Sequence, residues 1–205
     1  ALPKLEKAVD ADPKNAAAAT ALSQVLAGLG KYERAAKCLG PAIEANPDDV
    51  GLLIARGRAF ITMADVMARE SGDPNMILAY VGDGDRWVKR ALEKDPKNSE
   101  ARYLKARVFQ HQGGGDTPEA LAAFEELVKD DPKCFDAHWE LGQIAMRKAR
   151  RDTKNKALWA AAEQHFRDAL AADPASGQAL MQATFARHWQ SPTPDLIDEY
   201  AKCAD

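Results

Sequence analysis

Five prolines divide the chain at intervals that suit a pair of helices. Each follows Asp or Asn at the end of an apolar pattern: "AVDADPKN" from residue 8, "AIEANPDD" from 42, "ALEKDPKN" from 91, "LVKDDPKC" from 127 and "ALAADPAS" from 169. The prolines stand at positions 13, 47, 96, 132 and 174, giving spacings of 34, 49, 36 and 42 residues. Proline disfavours helical geometry in the residue before it and donates no backbone hydrogen bond, so each pair predicts a helix end. A period of this length indicates a repeat architecture.

Between successive prolines, each unit shows two apolar patterns of helical period separated by a turn. In the second unit the pattern predicts one helix over 16–28, a turn at "GLGKY" and another helix over 33–45. Alanine dominates the apolar residues while Val, Ile and Thr are sparse, which favours helix over sheet. The sequence therefore predicts an all-α protein assembled from helical hairpins.

The units resemble the tetratricopeptide repeat, whose pattern runs W-x2-L-G-x2-Y, then A-x3-F, then P. The fifth unit matches best, with Leu141 and Gly142 as the L-G pair, Ala162 and Phe166 as A-x3-F, and Pro174 as the stop. The second and fourth units carry parts of the same pattern. The resemblance implies an α-solenoid, a right-handed superhelix of hairpins whose first helices line a concave groove.

On this interpretation the whole chain, 1–205, is a single array. The predicted units are the second helix of a partial repeat (1–15), four repeats (16–49, 50–98, 99–134 and 135–176) and a final, truncated repeat (177–205). The repeats 50–98 and 135–176 are longer than 34 residues and carry insertions. In 50–98 the extra residues would fit two helices lengthened by about two turns each.

If the groove of the family is present, particular positions of each first helix point into it. The predicted peptide-binding residues are Gln24, Arg58, Tyr103, Arg107, Trp139 and Gln143. The polar members would hydrogen-bond an extended peptide, and the aromatic members would serve as anchors, with packing between repeats as their alternative role. The two arginines suggest a partner with an acidic or C-terminal carboxylate group.

These features predict a non-enzymatic scaffold that binds a peptide or protein segment in its groove. One alternative is an adaptor or regulatory region of a larger enzyme or assembly factor, which incomplete repeats at both ends would suit. Another is self-assembly through unpaired end helices.

Two glycine-rich segments have alternative interpretations. Gly113, Gly114 and Gly115 could cradle phosphate, but they follow a helix and lack the lysine of a phosphate loop. An inter-helix turn is favoured, with Asp116 or Thr117 capping the next helix. "GDGD" at 82–85 suggests calcium but lacks the register of an EF-hand, so we expect a break in an extended helix, with Asp85 capping the helix after the break.

No metal, cofactor or catalytic site is predicted. The four histidines, at positions 111, 138, 165 and 188, stand in different predicted helices without an i, i+4 partner, so packing or solvent exposure is favoured over metal binding. Cys38, Cys134 and Cys203 match no metal spacing. No hydrolase or metalloprotease motif is present.

The net charge of -3 disfavours a dedicated nucleic-acid binder, and none is expected as a partner. The basic segment "RKARRDTKNK" at 147–156 fits a solvated helix end, with a dock for an acidic partner as the alternative. No transmembrane segment is predicted, because no stretch approaches roughly 20 apolar residues. The composition favours the cytoplasm and leaves an exported parent protein open.

Overall fold

The computed structural model describes residues 2–70 and 72–190. These residues form eleven α-helices and no β-strand, which confirms the all-α prediction. The expected helix end at 201–205 lies outside the described residues. The chain divides into two compact units, residues 1–120 and residues 121–205, called unit 1 and unit 2 below.

Unit 1 contains seven complete helices: α1 (Leu2–Ala11), α2 (Ala16–Gly28), α3 (Tyr32–Lys37), α4 (Gly40–Ala45), α5 (Val50–Arg69), α6 (Pro74–Lys94) and α7 (Ser99–Gln112). Successive helices pack together as α1 on α2, α2 on α3, α5 on α6 and α6 on α7. Helix α5 also contacts both α2 and α7. The long third predicted unit consists of two helices of 20 and 21 residues, α5 and α6.

Helix α8 (Pro118–Asp130) begins in unit 1 and continues into unit 2, where it is followed by α9 (Phe135–Arg151), α10 (Lys156–Ala172) and α11 (Gly177–Gln190). Helix α10 packs on both α9 and α11. The core here includes the fully buried rings of Trp159 and Phe166 together with alanines of all three helices. Among the helices of the described residues, none has the length and apolar character that crossing a bilayer requires.

The recurring Pro motif also starts the following helix. Two residues after the proline, Asn15, Asp49 and Asn98 each accept a hydrogen bond from a backbone N–H in the first turn, at 2.9, 3.0 and 3.1 Å. Ser176 does the same for Ala179 at 3.3 Å. One short motif therefore ends one helix and caps the next, which makes each connection brief.

The continuous helix predicted over 33–45 is wrong, because two short helices, α3 and α4, replace it. The interruption lies at Cys38 and Leu39. Pro41, near the start of α4, has no N–H to donate to the preceding turn, so the helical ladder cannot run through this point.

The three glycines at 113–115 form the turn between α7 and α8, as the sequence predicts. Gly114 and Gly115 have φ of 71° and 136°, a region that side chains other than glycine rarely enter. The N–H of Gly115 donates to the carbonyl of Gln110 at 2.7 Å, and the N–H of Ala120 donates to Oγ1 of Thr117 at 3.2 Å. Thr117 thus caps α8.

The predicted helix break at "GDGD" is wrong. Helix α6 runs through residues 82–85 without interruption, and Asp85 is buried within it instead of capping a new helix. A Cβ at Gly84 would lie 2.7 Å from Cγ1 of Ile61, and one at Gly57 would lie 2.9 Å from Cγ2 of Val88. These glycines let α5 and α6 approach closely, and this packing outweighs the weak helix propensity of glycine.

Candidate functional site

Unit 1 contains a cavity of about 170 Å³ where three first helices meet, called the α2–α5–α7 pocket below. Its lining includes Thr20, Gln24, Ile54, Ala55, Arg58 and Glu100. Helix α2 contributes two of the six residues, α5 contributes three and α7 contributes one. The lining combines small apolar surface with an amide and two opposite charges.

Two of the predicted peptide-binding residues, Gln24 and Arg58, come together in this pocket. Both side chains are exposed, and an exposed glutamine amide offers a donor and an acceptor to a ligand. Nε and one terminal nitrogen of Arg58 donate to Oε1 of Glu100 at 3.0 and 2.7 Å. Because both partners of this ion pair are well exposed, at 44% and 47%, water screens the pair strongly.

Arg107, also a predicted peptide-binding residue, lies in a tighter network. It donates to Oδ1 of Asp65, and Nε2 of His111 lies 2.6 Å from the same oxygen. Burial alone would raise the pKa of Asp65, but the hydrogen bond from His111 and the charge of Arg107 together lower it. The network joins α5 to α7, so Arg107 supports the packing of these helices.

Tyr103 is half-buried and packs against the core of unit 1. In unit 2, Trp139 and Gln143 lie one turn apart on α9, and both are half-buried. The Trp139 ring meets the edge of Phe166 at 5.3 Å between centroids and stacks on Phe135 at 6.2 Å. Trp139 therefore contributes to packing within unit 2.

Sequence reasoning missed the carboxylates that hold the two arginines. Glu100 stands 42 residues after Arg58, and Asp65 stands 42 residues before Arg107. The equal separation is the one signal that the sequence offered, because it is close to the length of a repeat and so places each acid in the neighbouring first helix.

A cluster of His138, His165 and Asp168 also went unpredicted, because only histidine pairs at i, i+4 were considered as ligands. One ligand atom from each residue lies within 4.8 Å of the other two. Burial and the neighbouring His138 lower the pKa of His165, against the opposing charges of Asp168 and Glu125. The H-x-x-D spacing at 165–168, which puts both side chains on one face of α10, was the available signal.

The described cysteines are poorly suited to thiolate chemistry. Burial raises the pKa of both the Cys38 and the Cys134 thiols. A thiol with a raised pKa is largely protonated at neutral pH and is a weak nucleophile.

Comparisons with solved structures place this fold among repeat proteins. The human IFIT1 dimer with m7Gppp-AAAA matches with a TM-score of 0.69 at 14% identity, covering 98% of this chain and 44% of that one. TTC0263, a thermophilic TPR protein of Thermus thermophilus, matches at 0.63 with 16% identity, covering 92% and 90%. MamA matches at 0.55 with 14% identity, covering 89% and 92%. The chain thus spans less than half the length of IFIT1, and at these identities the likeness concerns the fold, which is an all-α solenoid.

Two family models, both described as tetratricopeptide repeat, match residues 1–57 and 111–177. A search of the curated proteins finds no matching sequence. The matched segments carry the motifs that first suggested the family, including the Leu141-Gly142 pair and Phe166. The helical hairpins, the solenoid neighbours and the two family matches agree, and the chain belongs to the tetratricopeptide repeat family.

Proposed function

We propose that the chain is a protein-interaction scaffold that binds an extended peptide segment in the α2–α5–α7 pocket of unit 1. Proteins of this family are generally non-catalytic scaffolds. The observation that carries the proposal is the convergence of Gln24, Arg58 and an apolar floor on one cavity. Extended peptides need partners for their backbone groups and an apolar recess for a side chain, and this pocket offers both.

The proposed partner carries a carboxylate, either from an acidic side chain or from a chain terminus. Arg58 is held by Glu100 in an exposed pair that costs little to separate. An incoming carboxylate can replace Glu100 and receive the same two-pronged donation from the guanidinium group. Glu100 would then act as a competitor that sets the affinity for acidic partners.

Arg107 and Tyr103 have a supporting part in this proposal. Arg107 fixes α7 against α5 through Asp65, and this contact holds the wall of the pocket in place. Trp139 and Gln143 are proposed to offer a separate peptide contact on α9 of unit 2.

The test begins with selection of binding peptides from a random displayed library on the purified chain, followed by calorimetry with the selected peptides. Arg58→Ala and Gln24→Ala should each weaken binding about tenfold or more, whereas Glu100→Gln should strengthen binding of acidic peptides. Arg86→Ala is the matched control, because Arg86 is an exposed arginine of α6 outside the pocket, paired with Asp83. Equal affinities of wild type, Arg58→Ala and Gln24→Ala would overturn the proposal.

Self-association is a second candidate, favoured by exposed apolar side chains on α11. Leu180, Met181 and Trp189 are 41%, 42% and 46% exposed. Light scattering over a concentration series should then show a mass above that of the monomer, and Trp189→Lys should reduce it. A constant monomer mass would refute this candidate.

A further inference from the structure

We propose that His138, His165 and Asp168 form a binding site for a divalent transition-metal ion of the zinc class. The site lies within unit 2, between α9 and α10, and is independent of the peptide-binding proposal. One ligand atom from each of the three residues lies within 4.8 Å of the others.

His138 is prepared for metal binding by its backbone partner. Its Nε2 lies 3.1 Å from the carbonyl oxygen of Pro132, which can only accept, so Nε2 carries the proton. In the neutral ring the lone pair is then on Nδ1. Metal-binding histidines commonly donate their second nitrogen to a carbonyl in this way, which fixes the tautomer and the ring orientation.

The other ring nitrogen of His138, Nδ1, is a buried acceptor. The residue is only 7% exposed, and Nδ1 has no hydrogen-bond partner among the residues that the structure describes. Oδ2 of Asp168 faces it at 3.9 Å, too far for a hydrogen bond. A buried acceptor without a donor is costly, and a metal ion between the two atoms would satisfy both.

His165 and Asp168 supply the remaining ligands from one face of α10. The Nδ1 atom of His165 is also buried and without a hydrogen-bond partner in the described part of the chain. Oδ1 of Asp168 accepts a hydrogen bond from Gln164 at 2.9 Å, which orients the carboxylate and leaves Oδ2 for the ion. The negative charges of Asp168 and Glu125 both act on His165, so the local field favours a cation.

The spacing fits contraction around a small ion. Ligand atoms of a tetrahedral zinc site lie roughly 3.3 Å apart when each is about 2.0 Å from the metal. The atoms of this cluster, at no more than 4.8 Å, therefore need to move closer by at most about 1.5 Å, which side-chain rotation can provide.

The donor set selects the class of ion. Two imidazole nitrogens and one carboxylate suit zinc and its transition-metal neighbours, whereas calcium and magnesium prefer oxygen ligands alone. Three protein ligands leave one position for water or for a donor atom of a partner. The side chain of Asp168 is 37% exposed and provides an entry path from solvent.

The test titrates the untagged full chain with zinc chloride by calorimetry and with cobalt chloride by visible absorption. We expect one ion per chain, cobalt bands typical of low coordination number, and a melting temperature raised by roughly 5–10 °C at about a hundredfold excess over Kd. His138→Ala, His165→Ala and Asp168→Asn should each weaken binding by about tenfold or more.

Two variants serve as matched controls, and both should bind like wild type. His188→Ala removes a half-buried histidine of α11, and Asp136→Asn removes an exposed carboxylate of α9. Asp168→Asn is the safeguard against unfolding, because its partly exposed side chain can lose its charge while keeping its shape. Circular dichroism without metal checks the fold of each variant. The proposal is overturned if no ion binds, or if Asp168→Asn and a folded histidine variant bind as tightly as wild type.

Discussion

Gly142 lies directly against the ring of Phe166. A Cβ at position 142 would be 2.7 Å from Cε1 and 2.9 Å from Cδ1 of that ring, and Phe166 is fully buried. The glycine and the aromatic ring of the family motif are therefore the two halves of one close contact between α9 and α10. The two residues are far apart along the chain, and the hairpin brings them together.

We expect Gly142→Ala to destabilise the protein. Overpacking costs about 1–3 kcal/mol, which exceeds the gain of up to ~1 kcal/mol from replacing glycine with alanine in a helix. Gly82→Ala in α6 is the control, since nothing lies within 4 Å of its added Cβ, and it should stabilise by about 0.5–1 kcal/mol. Thermal melts that move in the same direction for both variants would contradict this account.

A second prediction concerns a proline motif whose N-cap residue makes no capping bond. Cys134 occupies the N-cap of α9 with extended backbone geometry but makes no side-chain cap hydrogen bond. Its counterparts Asn15, Asp49 and Asn98 all make one. Cys134→Asn should stabilise the protein by about 0.5–1 kcal/mol, and Asn98→Ala should destabilise it by about 1 kcal/mol, both measured by denaturant unfolding. A loss of stability in Cys134→Asn would count against cap chemistry as the deciding factor.

The local signals that the sequence carries well are those fixed by backbone chemistry. The Pro motifs locate helix ends and caps, and the position of Thr117 after the glycine turn is enough to make it a candidate cap. Asp85 was misread because glycine propensity indicated a break, whereas close packing at Gly57 and Gly84 holds α6 continuous. Local propensity cannot express a contact with another helix.

The candidate sites divide along the same line. Gln24 and Arg58 could be predicted, because repeat register assigns a face to each residue of a first helix. Glu100 and the His138–His165 pair could not, since these contacts depend on how neighbouring helices rotate and on the reach of each side chain. A periodic pattern gives the direction of a side chain but not its partner.

The third prediction separates the two arginines of the expected groove. Arg58→Ala should change the free energy of unfolding by less than about 0.5 kcal/mol, because the pair with Glu100 is exposed and screened. Arg107→Ala should cost about 1–3 kcal/mol, because it removes a donor from the largely buried Asp65. The comparison uses urea unfolding of both variants at neutral pH. Equal losses would mean that Arg58 also has a structural role, and it would then be a poor probe of peptide binding.

The fourth prediction concerns the stability of unit 1 in acid. Asp85 is buried in α6, with Lys105 at 2.6 Å and Lys89 at 2.8 Å. Burial alone would raise the pKa of Asp85, but the hydrogen bonds and charges of these two lysines lower it. The pKa of Asp65 is lowered as well. Both carboxylates thus hold protons less firmly in the folded state than in the unfolded chain, where the pKa is about 3.9.

A pKa that is lower in the folded state contributes stability above the unfolded value, and this stability is lost as pH falls through the folded one. We therefore expect the free energy of unfolding to decline below about pH 5 and to keep falling below about pH 4. Asp85→Asn should be less stable than wild type at neutral pH and should show a shallower decline in acid. Asp83→Asn is the matched control, because Asp83 is 40% exposed and pairs across one turn with Arg86. Urea unfolding at a series of pH values from about 3 to about 7 gives the slopes, and parallel curves for wild type and Asp85→Asn would refute the assigned role of Asp85.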